Sequence, residues 1–221
     1  MTNPLKISLK SEAIPAILIL LSIAASFYFY ANFPQTVATH WNYRGEIDGW
    51  SSKAFAAFFF PALSIGIYLL FLALPYFDPK KDRYAEFAKP YHIFKNLFVI
   101  FMTAIYFLVG FAGLGYNISI DVVVPASVGA LFIIMGNYLG KIKSNWFMGI
   151  RTPWTLSNEI VWDKTNRLGG KLFILTGILM LLGVFLPNEI FWLLFIITMV
   201  IVVIVPIVYS FLLFKKLEKK S

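Results

Sequence analysis

Six apolar runs constrain this chain most strongly, because each is long enough, or nearly so, to cross about 30 Å of hydrocarbon as a helix. They cover residues 13–31, 54–77, 97–116, 122–139, 170–186 and 190–214. The composition agrees: 59% of the residues are hydrophobic, 14% are charged, and the mean hydropathy is +0.77. These values lie far from those of an ordinary soluble domain. The sequence therefore predicts an all-α integral membrane protein with six transmembrane helices.

The distribution of Lys and Arg predicts the orientation of these spans. Basic residues cluster at the N-terminus (Lys6, Lys10), in the second and fourth connections and in the tail, whereas the other three connections contain only Arg44 and Lys53. By the positive-inside rule both termini are cytoplasmic, residues 78–95 and 140–171 are cytoplasmic loops, and residues 32–53 form an external loop. The net charge of +8 is thus assigned to topology, and no direct nucleic-acid partner is expected. The first run lacks a small-residue cleavage pattern, which favours a spanning helix over a signal peptide.

Several kinds of chemistry are disfavoured by composition. The chain has no Cys, so it forms no disulfide, thiolate nucleophile or Cys-ligated metal site. Its two His residues, His40 and His92, lie in different segments. We therefore predict no catalytic residues, no metal and no cofactor.

The longest polar passage in the chain is residues 136–171, GNYLGKIKSNWFMGIRTPWTLSNEIVWDKTNRLGGK. Its tryptophans recur every eight residues among basic side chains, a mixture typical of a segment held at the lipid headgroups. Thr152 before Pro153 is expected to cap one turn of helix, and Ser157 with Glu159 to begin the next. Gly169 and Gly170 are expected to break or bend that second helix before the fifth span. The candidate functional residues in and beside this passage are Asn137, Asn145, Gly149, Arg151, Thr152, Pro153, Trp154, Thr155, Glu159, Trp162, Asp163 and Arg167.

Arg151 carries the most specific expectation in this passage. A guanidinium stays charged and presents a planar fork of donors, so it requires a carboxylate, a phosphate or several carbonyls as partner. Glu159 and Asp163, one and two turns into the following helix, are the nearest carboxylates. We predict a structural clamp between Arg151 and this helix, with a lipid phosphate or a cytoplasmic partner as the alternative.

Small residues on the fourth span predict close helix contact. Gly129, Gly136 and Gly140 share one helical face, which suits close packing where lipid supplies no hydrophobic driving force. The short turn before this span favours an antiparallel pair with the third span. Packing inside the molecule is favoured over dimerisation through Gly136 and Gly140, and Asn137 is expected to form an interhelical hydrogen bond.

The external loop should be compact and lie on the membrane, because it combines turn-forming residues with aromatic ones. Its candidate functional residues are His40, Trp41, Asn42, Gly45, Asp48 and Trp50. An acid/base pair or a metal site built from His40 with Glu46 or Asp48 is one interpretation. The favoured interpretation is a hydrogen-bonded surface histidine.

The passage GNYLGKIKSNWFMGIRTPWTLSNEIVW resembles the signature of the SdpI family of multi-pass bacterial plasma-membrane proteins. The resemblance covers roughly residues 120–212, and residues 13–60 resemble the N-terminal domain of unknown function that often accompanies it. It implies immunity against a secreted toxin or antimicrobial peptide outside the cell and, in some members, signalling by holding a cytoplasmic repressor at the membrane. Asn166 departs from the His expected in many relatives, so no His-dependent role carries over to this position.

The resulting domain prediction has four parts: 1–60 as an N-terminal membrane domain, 61–119 as the second and third spans, 120–214 as the SdpI-like domain and 215–221 as a basic cytoplasmic tail. A non-enzymatic immunity or signalling protein in the lipid bilayer is the favoured function. The alternatives are a lipid- or peptide-handling transporter and an interfacial enzyme using Arg151, Asp163, Glu159 or His40. No run has an unambiguous ionisable residue at mid-membrane, and no recognised catalytic spacing is present.

Overall fold

The structure, a computed structural model, describes Leu5 and residues 8–219, so Lys6 and Lys220 of the predicted basic ends lie outside the described residues. Its elements are α1 (Leu9–Asn32), β1 (Thr36–Trp41), β2 (Ile47–Ser52), α2 (Lys53–Phe77), a 3₁₀ helix (Lys81–Phe87), α3 (Ala88–Gly113), α4 (Ile120–Leu139), α5 (Pro153–Ser157), α6 (Glu159–Gly183) and α7 (Asn188–Glu218). Across the described residues, six helical segments are long and apolar enough to cross a membrane. The prediction of a six-span helical membrane protein is confirmed.

The spanning helices keep large apolar side chains on their outer surfaces. On α7, residues Ile196, Val200, Val203 and Ile204 are each more than half exposed. A continuous apolar face of this kind is disfavoured against water and suits contact with hydrocarbon. The exposed faces therefore agree with helices that lie in lipid.

The chain forms two compact units. The N-terminal unit combines Ile7–Leu72 with Lys95–Ser127, and the C-terminal unit combines Ala73–Phe94 with the chain from Val128 onward. In the N-terminal unit the buried core consists of Phe29, Phe33, Val37, Ala56, Ala57 and Tyr106. The Tyr106 hydroxyl donates to the Ala57 carbonyl over 2.8 Å, which satisfies the polar end of a buried aromatic side chain.

The external loop forms a β-hairpin within the N-terminal unit. Strands β1 and β2 pair antiparallel from Thr36 opposite Ser52 to Trp41 opposite Ile47, with irregular register near His40. The turn is closed by Asn42, whose side-chain oxygen accepts from the backbone N–H groups of Arg44 and Glu46. The compact loop expected from the turn residues is therefore a two-stranded ribbon, which the sequence did not predict.

A buried ion pair joins the ends of two spans in the N-terminal unit. The ammonium of Lys95 on α3 contacts both carboxylate oxygens of Glu12 on α1, and the Tyr68 hydroxyl of α2 donates to the same carboxylate over 2.8 Å. The Lys95 side chain is only 1% exposed. The pair was not predicted from the apolar runs. Helices α1 and α3 begin several residues before the corresponding runs, so Glu12 and Lys95 lie inside the helices although they lie outside the runs.

Helix α6 runs without interruption through Gly169 and Gly170, so of the predicted break or bend the break is wrong. The glycines permit close packing of α6 on α4: a Cβ built on Gly170 would lie 2.6 Å from the carbonyl oxygen of Gly136. A second contact follows two turns on, where a Cβ on Gly129 would lie 2.9 Å from the carbonyl oxygen of Gly177. Internal packing of the small residues is confirmed, and the neighbour they meet is α6.

Candidate functional site

The polar passage between α4 and α6, residues 140–158, is called here the signature loop, and it folds around a buried tryptophan. Trp162, on the first turns of α6, is 0% exposed. Its indole N–H donates to the carbonyl of Ile142 over 2.8 Å. A buried indole requires such an acceptor. The signature loop therefore encloses the Trp162 side chain, and the hydrogen bond from this side chain holds the loop in place within the C-terminal unit.

Asn145 holds the first half of the signature loop in shape. Its side-chain oxygen accepts from the backbone N–H groups of Phe147 and Met148, over 2.8 and 2.7 Å. Its amide nitrogen donates to the carbonyls of Lys143 and Met148. These four bonds use the full donor and acceptor capacity of a primary amide, and Asn145 is 0% exposed. The Asn145 side chain therefore satisfies backbone N–H and carbonyl groups of the loop that a helix or a strand would otherwise pair.

Gly149 and Asn166 hold the loop against α6. Gly149 has φ +104°, and a Cβ there would lie 2.9 Å from the Asn166 side-chain oxygen and 2.9 Å from the Trp162 ring. That oxygen accepts from the N–H of Ile150 over 2.8 Å, and the Asn166 amide donates to the Trp162 carbonyl. Both backbone conformation and space therefore require glycine at position 149. Asn166, where a His was expected in relatives, has a structural role here.

The second half of the loop begins α5 as predicted. Thr152 caps the helix with Pro153 in its first turn, and Thr152 and Thr155 form a reciprocal capping box. The Thr155 hydroxyl also donates to the Ile150 carbonyl over 3.0 Å. The predicted cap at Ser157 is wrong, because Asn158 accepts from the N–H groups of Ile160 and Val161 and caps α6 instead.

Two contacts attach α5 to α7. The hydroxyls of Thr152 and Ser210 lie 3.0 Å apart, and both residues are buried. The rings of Trp154 and Phe211 pack with centroids 5.0 Å apart. The loop is therefore fixed to the last span as well as to α6.

Arg151 does not form the predicted clamp to Glu159 or Asp163. Its side chain is exposed and donates to the carbonyl of Trp146 over 2.5 Å. Glu159 pairs with Arg83 of the 3₁₀ helix instead, and no ion pair of Asp163 occurs among the described residues. The guanidinium still has a structural partner, but that partner is a backbone carbonyl within the loop.

The connection after α2 contributes residues that the sequence analysis assigned no role. Asp78 is 2% exposed and accepts from the N–H groups of Lys80 and Trp146 and from the hydroxyl of Tyr84, over 2.7, 2.9 and 2.9 Å. The Lys80 ammonium donates to the Ser144 hydroxyl over 2.7 Å. The basic residues of 78–95 predict a cytoplasmic loop, and no local pattern in the sequence predicts these contacts.

Some candidate residues remain outside this buried network. Arg151, Pro153, Glu159 and Arg167 are exposed, and Asp163 is half-buried. Trp146, which was not among the predicted site residues, is exposed as well. Asn137 donates to the Ile133 carbonyl of its own helix, so the predicted interhelical hydrogen bond is wrong. The surface of the loop therefore carries one large aromatic side chain and several cations.

On the external hairpin, His40 and Asp48 form the expected surface pair. Nδ1 of His40 lies 2.5 Å from a carboxylate oxygen of Asp48, and the two side chains are 72% and 44% exposed. Glu46 bonds to the amide of Asn42 instead. Among the described residues no three His, Cys, Asp or Glu side chains are grouped to hold a metal ion. Trp50 is 61% exposed, and Trp41 and Gly45 are half-buried.

Comparison with known proteins shows what this chain is similar to. The family model described as "SdpI/YfhL protein family" matches residues 141–210, the signature loop with α5, α6 and most of α7. A second model, for a domain of unknown function (DUF1648), matches residues 17–65, most of α1 with the hairpin and the start of α2. The chain is 26% identical over 210 residues to a Bacillus subtilis (strain 168) protein named Immunity protein SdpI, covering 95% of this chain and 99% of that protein. The chain is therefore similar to the SdpI family in its last third and to Immunity protein SdpI along nearly its whole length.

The resemblance inferred from the signature loop is thus confirmed. With this similarity to SdpI and six apolar spanning helices among its described residues, the chain is a multi-pass protein of the bacterial plasma membrane. No solved structure matches it significantly. The matched range, residues 141–210, includes the residues that hold the signature loop around Trp162.

Proposed function

We propose that this chain is a membrane immunity protein that gives its bacterium tolerance to a secreted toxin or antimicrobial peptide. One observation carries the proposal: the similarity to Immunity protein SdpI extends over 99% of that protein. Because the match runs end to end, it includes both the signature loop and the N-terminal hairpin. A shared function of the whole membrane protein explains this better than a shared module.

The test is toxin tolerance in a sensitive bacterium that produces this chain. We expect growth at toxin concentrations that stop cells carrying an empty vector, with the toxin recovered intact. A matched control is Trp162→Ala, which should lose tolerance together with membrane abundance because it removes the anchor of the loop. Normal abundance without tolerance in the unaltered protein contradicts the proposal. Recovery of cleaved or modified toxin supports the enzyme alternative.

The orientation of the chain is part of the proposal. Both termini and the signature loop face the cytoplasm, and the hairpin faces outward, because Lys and Arg concentrate in the connections assigned to the inside. The chain has no native Cys, so single-Cys labelling starts from a clean background. Exposed Arg44→Cys should react with an impermeant thiol reagent on intact cells, and exposed Ser157→Cys only after lysis. The reverse pattern contradicts this orientation.

The hairpin is the surface we propose for meeting the toxin. Tyr43, Ile47 and Trp50 are 42%, 45% and 61% exposed on it. Exposed aromatic side chains are common anchors in peptide recognition. The strand pairing holds Ile47 and Trp50 at the surface of the hairpin, where a partner outside the cell can reach them.

Signalling to a cytoplasmic repressor is a second candidate, favoured by the surface of the signature loop. Trp146 is 47% exposed, and Arg151 is held beside it through the Trp146 carbonyl. An aromatic residue next to an Arg is a composition enriched in protein interfaces. Trp146→Ala should leave tolerance intact and abolish the transcriptional response to toxin. An unchanged response contradicts the signalling role while leaving the immunity proposal standing.

A further inference from the structure

A basic groove lies between the C-terminal end of α4 and the middle of α6 in the C-terminal unit. Its volume is about 390 Å³, and it is open on one side. Its lining residues are Gly136, Asn137, Gly140, Lys141, Arg167, Lys171 and Ile174. This volume falls in the range of small-molecule sites, about 300–1,000 Å³. The shape and charge together raise the question of which ligand the groove accepts.

The glycine contact between α4 and α6 creates the groove. Gly136 and Gly170 bring the two helices together, and beyond them the side chain of Arg167 lies directly on Gly140, where a Cβ would be 2.9 Å from Cγ of Arg167. Arg167 and Lys171 are four residues apart on α6, so both project from the same face. The groove therefore has a backbone floor with cations on its walls.

Three cations line the groove without an acidic partner. Among the described residues, Lys141, Arg167 and Lys171 form no ion pair with a carboxylate within 4.0 Å. Lys141 is oriented by its Tyr138 neighbour, with its ammonium 4.5 Å from the ring centroid. One N–H of the Asn137 amide donates to the Ile133 carbonyl of its own helix, and the three cations are the charged groups of the groove. Three unpaired cations around one cavity favour an anion.

We propose that this groove binds a phosphate group, supplied by the headgroup of an anionic phospholipid. Leu139 is the last residue of α4, so Lys141 stands at the level where a spanning helix leaves the hydrocarbon. Basic pockets between transmembrane helices at this level suit anionic headgroups. Arg adds a planar fork that matches the oxygens of phosphate. A free phosphate anion shares this chemistry, and the experiment separates the two sources.

The test uses the full-length protein in nanodiscs and measures retained lipid by native mass spectrometry. One series contains phosphatidylglycerol mixed with phosphatidylcholine, and a second adds inorganic phosphate as competitor. We expect bound phosphatidylglycerol on the unaltered protein. Arg167→Gln should weaken its binding at least about tenfold, more than the roughly fivefold effect of one cation near an anionic surface. If inorganic phosphate displaces the lipid at equal concentration, the groove is a site for free phosphate.

Two further variants separate a built site from general surface charge. Lys164→Gln removes the same charge from an exposed position on α6 outside the groove. It should weaken phosphatidylglycerol binding by no more than about fivefold. Gly140→Ala keeps every charge but displaces Arg167, and should weaken lipid binding while phosphatidylcholine binding stays unchanged. Equal losses in Arg167→Gln and Lys164→Gln, or full lipid retention in both Arg167→Gln and Gly140→Ala, overturn the proposal. Melting temperatures close to that of the unaltered protein confirm that the variants are folded.

Discussion

The signature loop and the external hairpin are both polar, Trp-containing segments between spanning helices, yet they are held together in opposite ways. The hairpin is closed by strand pairing; Val37 packs into the core, whereas Trp50 is 61% exposed. The signature loop has no strand pairing, and buried side chains supply many of its hydrogen bonds, with Asn145 and Trp162 0% exposed. We therefore expect substitutions of these buried loop residues to reduce stability and substitutions of exposed hairpin residues such as Trp50 to leave it nearly unchanged.

An unusual stretch of sequence can therefore reflect either a demanding local structure or a surface used for recognition. In the loop, the unusual residues are distinctive because one geometry must satisfy many buried polar groups. In the hairpin, backbone bonds carry the geometry, so a side chain there is free to serve recognition. A sequence match confined to the loop would be evidence for a shared fold only. The match that also spans the hairpin supports a shared function.

The largest expected effect tests the loop directly. Trp162→Ala should lower the free energy of unfolding by about 3–5 kcal/mol, because it empties a buried site of tryptophan size. Trp50→Ala on the hairpin is the same chemical change at an exposed site, and it should alter the free energy of unfolding by no more than about 0.5 kcal/mol. Unfolding of the purified proteins in detergent, followed by tryptophan fluorescence or circular dichroism, measures both. Similar losses in the two variants would remove the contrast between the segments.

A smaller effect is expected at the acidic anchor of the loop. Asp78→Ala leaves the buried Trp146 N–H and the Tyr84 hydroxyl without their acceptor. We expect the free energy of unfolding to fall by about 1–3 kcal/mol, the cost of a buried unsatisfied group. Asp82→Ala, at an exposed position in the same connection, is the matched control and should be near neutral. Thermal melting with equal protein yields compares them. A neutral Asp78→Ala would mean that the loop does not depend on this carboxylate.

The sequence predicted those features that depend on periodicity, local charge or local capping. Six spans follow from apolar length, and the cap at Thr152 follows from its position before Pro153. The break at Gly169 was wrong because glycine has two uses, bending a helix and allowing close contact, and only the position of α4 decides between them. The roles of Asp78 and Lys95 depend on partners far along the chain, which no local pattern reveals.

Arg151 gives a third, intermediate effect. Loss of the hydrogen bond to the Trp146 carbonyl in Arg151→Ala should lower the free energy of unfolding by about 0.5–1.5 kcal/mol, since the side chain is exposed and makes this single hydrogen bond within the loop. A clamp on a carboxylate would need the guanidinium fork, whereas one carbonyl also accepts from an ammonium. Arg151→Lys should therefore recover part of the stability. Melting of the two variants decides: a Lys variant as unstable as the Ala variant would indicate a bidentate partner instead.

The smallest effect on stability is expected at His40, and it is the sharpest test of the hairpin. The His40–Asp48 pair is largely exposed, and an exposed ion pair contributes about 0–1 kcal/mol. His40→Ala and Asp48→Ala should therefore melt close to the unaltered protein, because strand pairing holds the hairpin without them. If the hairpin meets the toxin, either substitution should still reduce tolerance at unchanged membrane abundance. Exposed Trp146→Ala in the signature loop should keep tolerance, because we propose that this loop faces the cytoplasm. Lost tolerance in Trp146→Ala with full tolerance in both hairpin variants would move the toxin-sensitive surface to the loop.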